Sequence, residues 1–197
     1  MRPAWYADKR DLVKWSVLYH LADIYGCKRI LQIAFFRDSK FGKVNVGGED
    51  KEIPPEVLKH FRELRNICNM TSRLKIEFFD KKFKDRNSYW ESVKSKLAEY
   101  SHEKLIVFLD PDTGLEPEIA RPSLKHVLRL DVKKIWEGEA LKSGDLLVFY
   151  QHSFRDKEWV EKTQKALKKA TQASFKIARG EGPAIAKDVV FFYLQKG

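Results

Sequence analysis

The chain has 197 residues, 43% apolar and 13% aromatic, with a formal charge of +10. That length and core-forming content fit a single domain over residues 1–197 and exclude a disordered chain. The positive balance favours polyanion partners, nucleic acid first, and equally aids solubility.

Asp8–Tyr25 places Leu12, Trp15, Tyr19, Ala22 and Tyr25 at helical spacing. This predicts a helix with that stripe inward, Lys14 and His20 off it, and Gly26 as its cap. Arg29–Phe36 (RILQIAFF) is apolar and β-prone, so it reads as a central strand. Lys40–Pro55 is a glycine- and proline-bearing connection in which Lys43–Val46 can form a short strand or one arm of a hairpin. Val57, Phe61, Leu64 and Cys68 continue as a helix, and Arg73–Phe79 is the next strand. A helix follows through Tyr89, Val93, Leu97 and Tyr100, with Asp85 or Asn87 as its cap.

Lys104–Glu118 (KLIVFLDPDTGLEPE) is the stretch the chain is organised around. Its apolar run, Leu105–Leu109, predicts a strand buried on both faces. Beyond it, Glu116–Lys125 reads as a loop, Asp131–Ala140 as a short helix and Asp145–Tyr150 as an apolar strand leading to Gln151-His152. Asp156–Gln172 is a helix with Asp156 as its cap; Trp159, Thr163, Ala166 and Ala170 face in, and Lys162, Lys165, Lys168 and Lys169 face out. Ser174–Ala178 and Asp188–Gln195 have no helix between them, which predicts an antiparallel pair. The alternation of elements predicts a three-layer α/β/α sandwich with a mostly parallel sheet, closed by that pair.

In such sheets ligands sit beyond the carboxyl ends of the strands. Asp110, Pro111 and Asp112 follow one strand and His152 another, so all four are candidate site residues, with Asp38 and Asp80 on the same rim.

The element order resembles that of Rossmann-like methyltransferases that use S-adenosylmethionine. Asp110-Pro111 resembles the first half of the Asp-Pro-Pro-Tyr motif of amino-group methyltransferases. Asp11-Leu12-Val13-Lys14-Trp15 is similar to the Asp-x-x-Lys-His opening of a ribosomal-RNA adenine methyltransferase family. The resemblance implies methyl transfer to a nucleic-acid amino group. Asp110 would orient the target nitrogen and Pro111 would present its carbonyl. Phe35 and Asp38 would line the cofactor side, Asp80 would bind its ribose or adenine, and Lys14 would stand at the entrance near a phosphate. The segment after the first strand, Ile33–Ser39, has no glycine, and Asp112-Thr113 replace the second proline and the aromatic.

Two other readings stand beside this one. Asp110, Asp112 and His152 are of the types that hold Mg²⁺ or Mn²⁺ for phosphodiester cleavage by a nuclease or phosphoesterase. A non-catalytic domain could instead bind RNA or DNA, with Lys162, Lys165 and Lys169 as a phosphate-contacting stripe. Methyl transfer is favoured over metal-dependent hydrolysis. Cys27 and Cys68 show no zinc or disulfide spacing and suit a reducing cytoplasm. The charged Met1–Asp11 opening predicts no signal peptide, and no apolar run is long enough to span a membrane.

Overall fold

A computed structural model describes residues 8–36, 43–57, 64–118, 123–180 and 185–197. Its main sheet holds β1 (Arg29–Ile33), β4 (Lys75–Phe79), β5 (Leu105–Leu109), β8 (Leu146–His152), β9 (Lys176–Ala178) and β10 (Val189–Gln195), in the order β4-β1-β5-β8-β10-β9. β4, β1, β5 and β8 are parallel neighbours. β10 is antiparallel to both β8 and β9, which is the predicted closing pair. β1 and β5 are buried along their whole length, as strands covered on both faces must be.

Alternating side chains feed two separate cores. On one face, Leu31, Val107, Leu147 and Phe192 pack with the helices α2 (Arg86–Ala98), α3 (Arg129–Glu137) and α4 (Trp159–Thr171). On the other, Ile30, Ile106, Val148 and Phe191 pack with α1 (Lys9–Tyr25) and the 3₁₀ turn Leu64–Asn69. The result is the expected three-layer sandwich.

Local chemistry sets the element ends. Asp8 caps α1 by accepting from the backbone N–H groups of Arg10 and Asp11, and Gly26 ends the helix at φ 67°. Asp85 caps α2 through the Ser88 N–H. β2 (Lys43–Val46) and β3 (Glu49–Glu52) form a hairpin about Gly47-Gly48, whose φ values of 62° and 89° suit glycine.

Several expectations change. The inward face of α1 carries Asp11, Val13, Lys14, Trp15, Leu18, Leu21 and Ala22, whereas Leu12 is 62% exposed. The helix is turned so that a charged pair reaches the sheet. α4 starts at Trp159, and Asp156 accepts from the Glu158 N–H ahead of it instead of capping the helix itself. The expected 116–125 loop is flanked by a short pair that the sequence reading lacked, β6 (Gly114–Leu115) running parallel to β7 (His126–Val127). The middle of the helix expected through Phe61 lies outside the described residues, and its Leu64–Cys68 end is a 3₁₀ turn.

Candidate functional site

Asp110 is the first residue past β5, and its N–H donates to the Ile33 carbonyl at 3.0 Å. Its Oδ2 accepts from Lys14 Nζ at 2.9 Å and from Gln32 Nε2 at 2.6 Å. Lys14 Nζ also donates to Asp11 Oδ1 at 2.8 Å. Asp110, Gln32, Lys14 and Asp11 are all buried. Burial alone would drive the Lys14 proton off, but the charges of Asp110 and Asp11 outweigh it and hold the ammonium above its ordinary value. Burial, with the nearby Asp110 charge, pushes the Tyr150 hydroxyl up as well. Lys14 therefore pairs with Asp110 and Asp11 inside the protein and does not stand exposed at an entrance.

A cleft of about 290 Å³ opens beside this group, lined by residues that include Arg10, Asp110, Asp112, Lys125 and His152. Asp110 Oδ1 accepts no hydrogen bond from the described residues. Asp112 is half-buried on the cleft wall, and Pro111 is buried beneath it. His152 lies at the end of β8, with Nδ1 2.9 Å from the Ser153 carbonyl and Nε2 3.2 Å from Asp188 Oδ2. Arg10 donates to the same Asp188 oxygen, through Nε at 3.0 Å. The two bonds join the start of α1 to the β8 and β10 ends of the sheet.

The three metal-ligand candidates, Asp110, Asp112 and His152, line one cleft but do not converge on one point. Among the described residues no group of three or more His, Cys, Asp or Glu side chains stands close enough to hold a metal ion. Asp110 is turned toward Lys14 and His152 toward Asp188.

The cofactor candidates are likewise dispersed. Asp80 is exposed after β4, and Asp38 lies outside the described residues. Phe35 is 1% exposed, at φ 48°, packed against Phe83, Tyr89 and Trp90. Its N–H donates to the Tyr89 hydroxyl at 3.2 Å. An aromatic cluster thus fills the turn after β1, where backbone would have to approach S-adenosylmethionine closely. The described residues at that turn do not fit that cofactor.

Lys162, Lys165 and Lys169 are exposed along α4, as expected. Lys162 pairs with Asp156 and lies 3.7 Å from Glu158. Lys165 and Lys169 have no ion-pair partner among the described residues.

Sequence reading missed Gln32, Arg10 and Asp188, and it took Asp11 only as part of the Asp-x-x-Lys-like opening, not as a partner of Lys14. Gln32 carried a readable signal: a lone amide inside RILQIAFF must find a buried partner. Asp11 stands three residues before Lys14, on the same helix face. The Arg10–Asp188 contact spans 178 positions and left no local trace.

No protein-family model matches the chain, and no curated protein matches it in sequence. Among the described residues no helix is long and apolar enough to cross a membrane.

Proposed function

We propose that this protein binds nucleic acid at the carboxyl edge of its sheet, with Asp110 presenting a fixed acceptor to a base amino group. One observation carries the reading. Lys14 and Gln32 pin Asp110 Oδ2, while Oδ1 receives no donor from the described residues and the residue lines a cleft. A carboxylate at a strand end ordinarily repels phosphate; here a buried ammonium, shared with Asp11, offsets part of that charge. The chain's net charge of +10 supplies the long-range attraction.

Fluorescence anisotropy with labelled RNA and DNA tests this. Binding should weaken steeply with salt. Asp110→Asn, which replaces a pure acceptor by an amide, should lower affinity about ten- to a hundredfold, the scale of one hydrogen bond to a charged group. Unchanged affinity in Asp110→Asn would remove Asp110 from the interface.

Methyl transfer is the second reading, favoured by the position of Asp110-Pro111 at the end of a central strand. It predicts calorimetric heat with S-adenosylmethionine, and the packing of Phe35 counts against it. Absence of heat at millimolar cofactor would leave binding alone.

A further inference from the structure

A second cleft, of about 510 Å³, adjoins the first and shares Thr113 and His152 with it. It lies between the end of β8, the β6–β7 pair and the start of α4, and its volume is that of a small-molecule site. Its charges are largely matched internally. Glu116 Oε1 accepts from the Arg129 N–H at 2.7 Å and stands 3.9 Å from the Arg129 guanidinium, and Asp156 pairs with Lys162. A cleft with paired charges and walls that include Leu115, Pro117 and Ala166 suits a neutral, flat group better than a phosphate.

Two further observations say what that group is attached to. Phe154, on the cleft wall, is 49% exposed, so its ring is open to a ligand in the cleft. From the same wall α4 carries Lys162, Lys165 and Lys169 at spacings of three and four, so they share one helix face. Lys162 is engaged by Asp156 and Glu158, whereas Lys165 and Lys169 are exposed without ion-pair partners among the described residues. An aromatic platform beside a row of uncommitted cations is the arrangement that holds single-stranded nucleic acid: bases stack while phosphates follow the charges.

We infer that the second cleft receives an unpaired base stacked on Phe154, with the strand's backbone running along the Lys165–Lys169 face of α4. This rests on the nucleic-acid reading above and narrows it to single strands. A base inside a duplex is stacked on its neighbours and cannot reach the cleft.

The test is anisotropy with one labelled oligonucleotide, presented single-stranded and then annealed to its complement. The single strand should bind at least several-fold more tightly. Phe154→Ala should weaken single-strand binding about five- to a hundredfold, the span that one stacked base is worth, with the salt slope unchanged. Phe154→Tyr, which keeps a ring, should restore it. Joint replacement of Lys165 and Lys169 by alanine should flatten the salt slope for both forms. Equal affinity for duplex and single strand, or a Phe154→Ala variant that binds as the native chain does, overturns the inference. If Asp110→Asn still weakens binding in that case, the broader reading survives. No binding of either form at low salt removes both. Far-UV circular dichroism confirms that each variant is folded, as the exposure of the three side chains leads one to expect.

Discussion

Lys14 Nζ meets Asp110 Oδ2 at 2.9 Å across 96 positions of sequence, with both residues almost out of contact with water at 5% and 2% exposure. This pair, with Asp11, ties α1 to the end of the central strand. Removing one member of a buried ion pair leaves an uncompensated charge, which costs far more than the pair itself contributes. Lys14→Met abandons two buried carboxylates and should lower stability by about 3–5 kcal/mol. Adding Asp110→Asn relieves one of them, so the double variant should lose less than the two single losses together. Urea denaturation of the four proteins checks this. Strict additivity would mean that the two groups do not interact.

The same group sets an alkaline limit. Lys14 is held above its ordinary value of 10.5, mainly by Asp110 and Asp11 against the opposing effect of burial. Burial and the Asp110 charge raise Tyr150 above its ordinary 10.0, while Arg10 and Lys14 oppose the shift. In both cases the folded chain keeps a proton that the unfolded chain releases first. Their stabilisation is therefore complete below these ordinary values and is lost as pH climbs beyond them. The urea midpoint should be level near neutrality and fall once the pH passes about 10, and less steeply in Tyr150→Phe. A midpoint that stays level well beyond the lysine's ordinary value would contradict the buried pair.

At acid pH the sign reverses. Partial burial would raise Asp188, but the Arg10 hydrogen bond and charge hold it below its ordinary 3.8. Its contribution is present above that value and is lost as pH falls through the folded one. Both side chains are about a third exposed, at 32% and 31%, so solvent screens the pair. Arg10→Met should cost about 1 kcal/mol or less near neutrality and flatten the acid limb of the stability profile. Circular dichroism titration of the two proteins compares the limbs directly.

The sheet was legible because its signals are local. LIVFL is a continuous apolar run between Lys104 and Asp110, RILQIAFF is rich in apolar and β-prone residues, and alternation of strand and helix fixes a parallel arrangement. The face of α1 was not legible from hydrophobicity. Its inward surface includes Asp11 and Lys14, whose burial depends on Asp110, a residue 96 positions away. Periodicity counts apolar residues and cannot anticipate a buried ion pair. The site was half legible for the same reason: Asp110 and His152 could be placed at strand ends, but not the partners that claim them. Phe35 shows a third limit. The residues around it carry no mark of the left-handed turn, which the aromatic packing beneath it stabilises.

Gly114 lies between Thr113, which lines both clefts, and Leu115, which lines the second. It sits at φ 118°, and a Cβ there would stand 2.3 Å from Gln151 Oε1. Gln151 cannot swing away freely. It is 1% exposed, accepts from the Leu115 N–H at 2.8 Å, and donates to the Thr113 and His152 carbonyls at 3.3 and 2.7 Å. Gly114→Ala should cost at least about 1–3 kcal/mol from backbone strain alone, with the clash added. Shortening the neighbour in a Gly114→Ala, Gln151→Ala double variant relieves the clash but not the strain. Its loss should therefore fall short of the two single losses added together, as thermal denaturation will read.

Phe35 sets two effects against each other, and their sizes decide the outcome. At φ 48° a residue with a side chain pays about 1–2 kcal/mol that glycine would not. Replacement by glycine recovers that strain, but it also adds about 1 kcal/mol of unfolded-chain freedom that folding must remove. These two terms nearly cancel. What remains is the ring, buried against Phe83, Tyr89 and Trp90, whose loss leaves a cavity worth about 3–5 kcal/mol. Phe35→Gly should therefore be strongly destabilising, although the backbone at this position favours glycine. Urea unfolding of Phe35→Gly beside Phe35→Ala separates the terms: glycine should be no worse than alanine, and both well below the native chain. A Phe35→Gly variant as stable as the native protein would mean that the ring is not packed in this core.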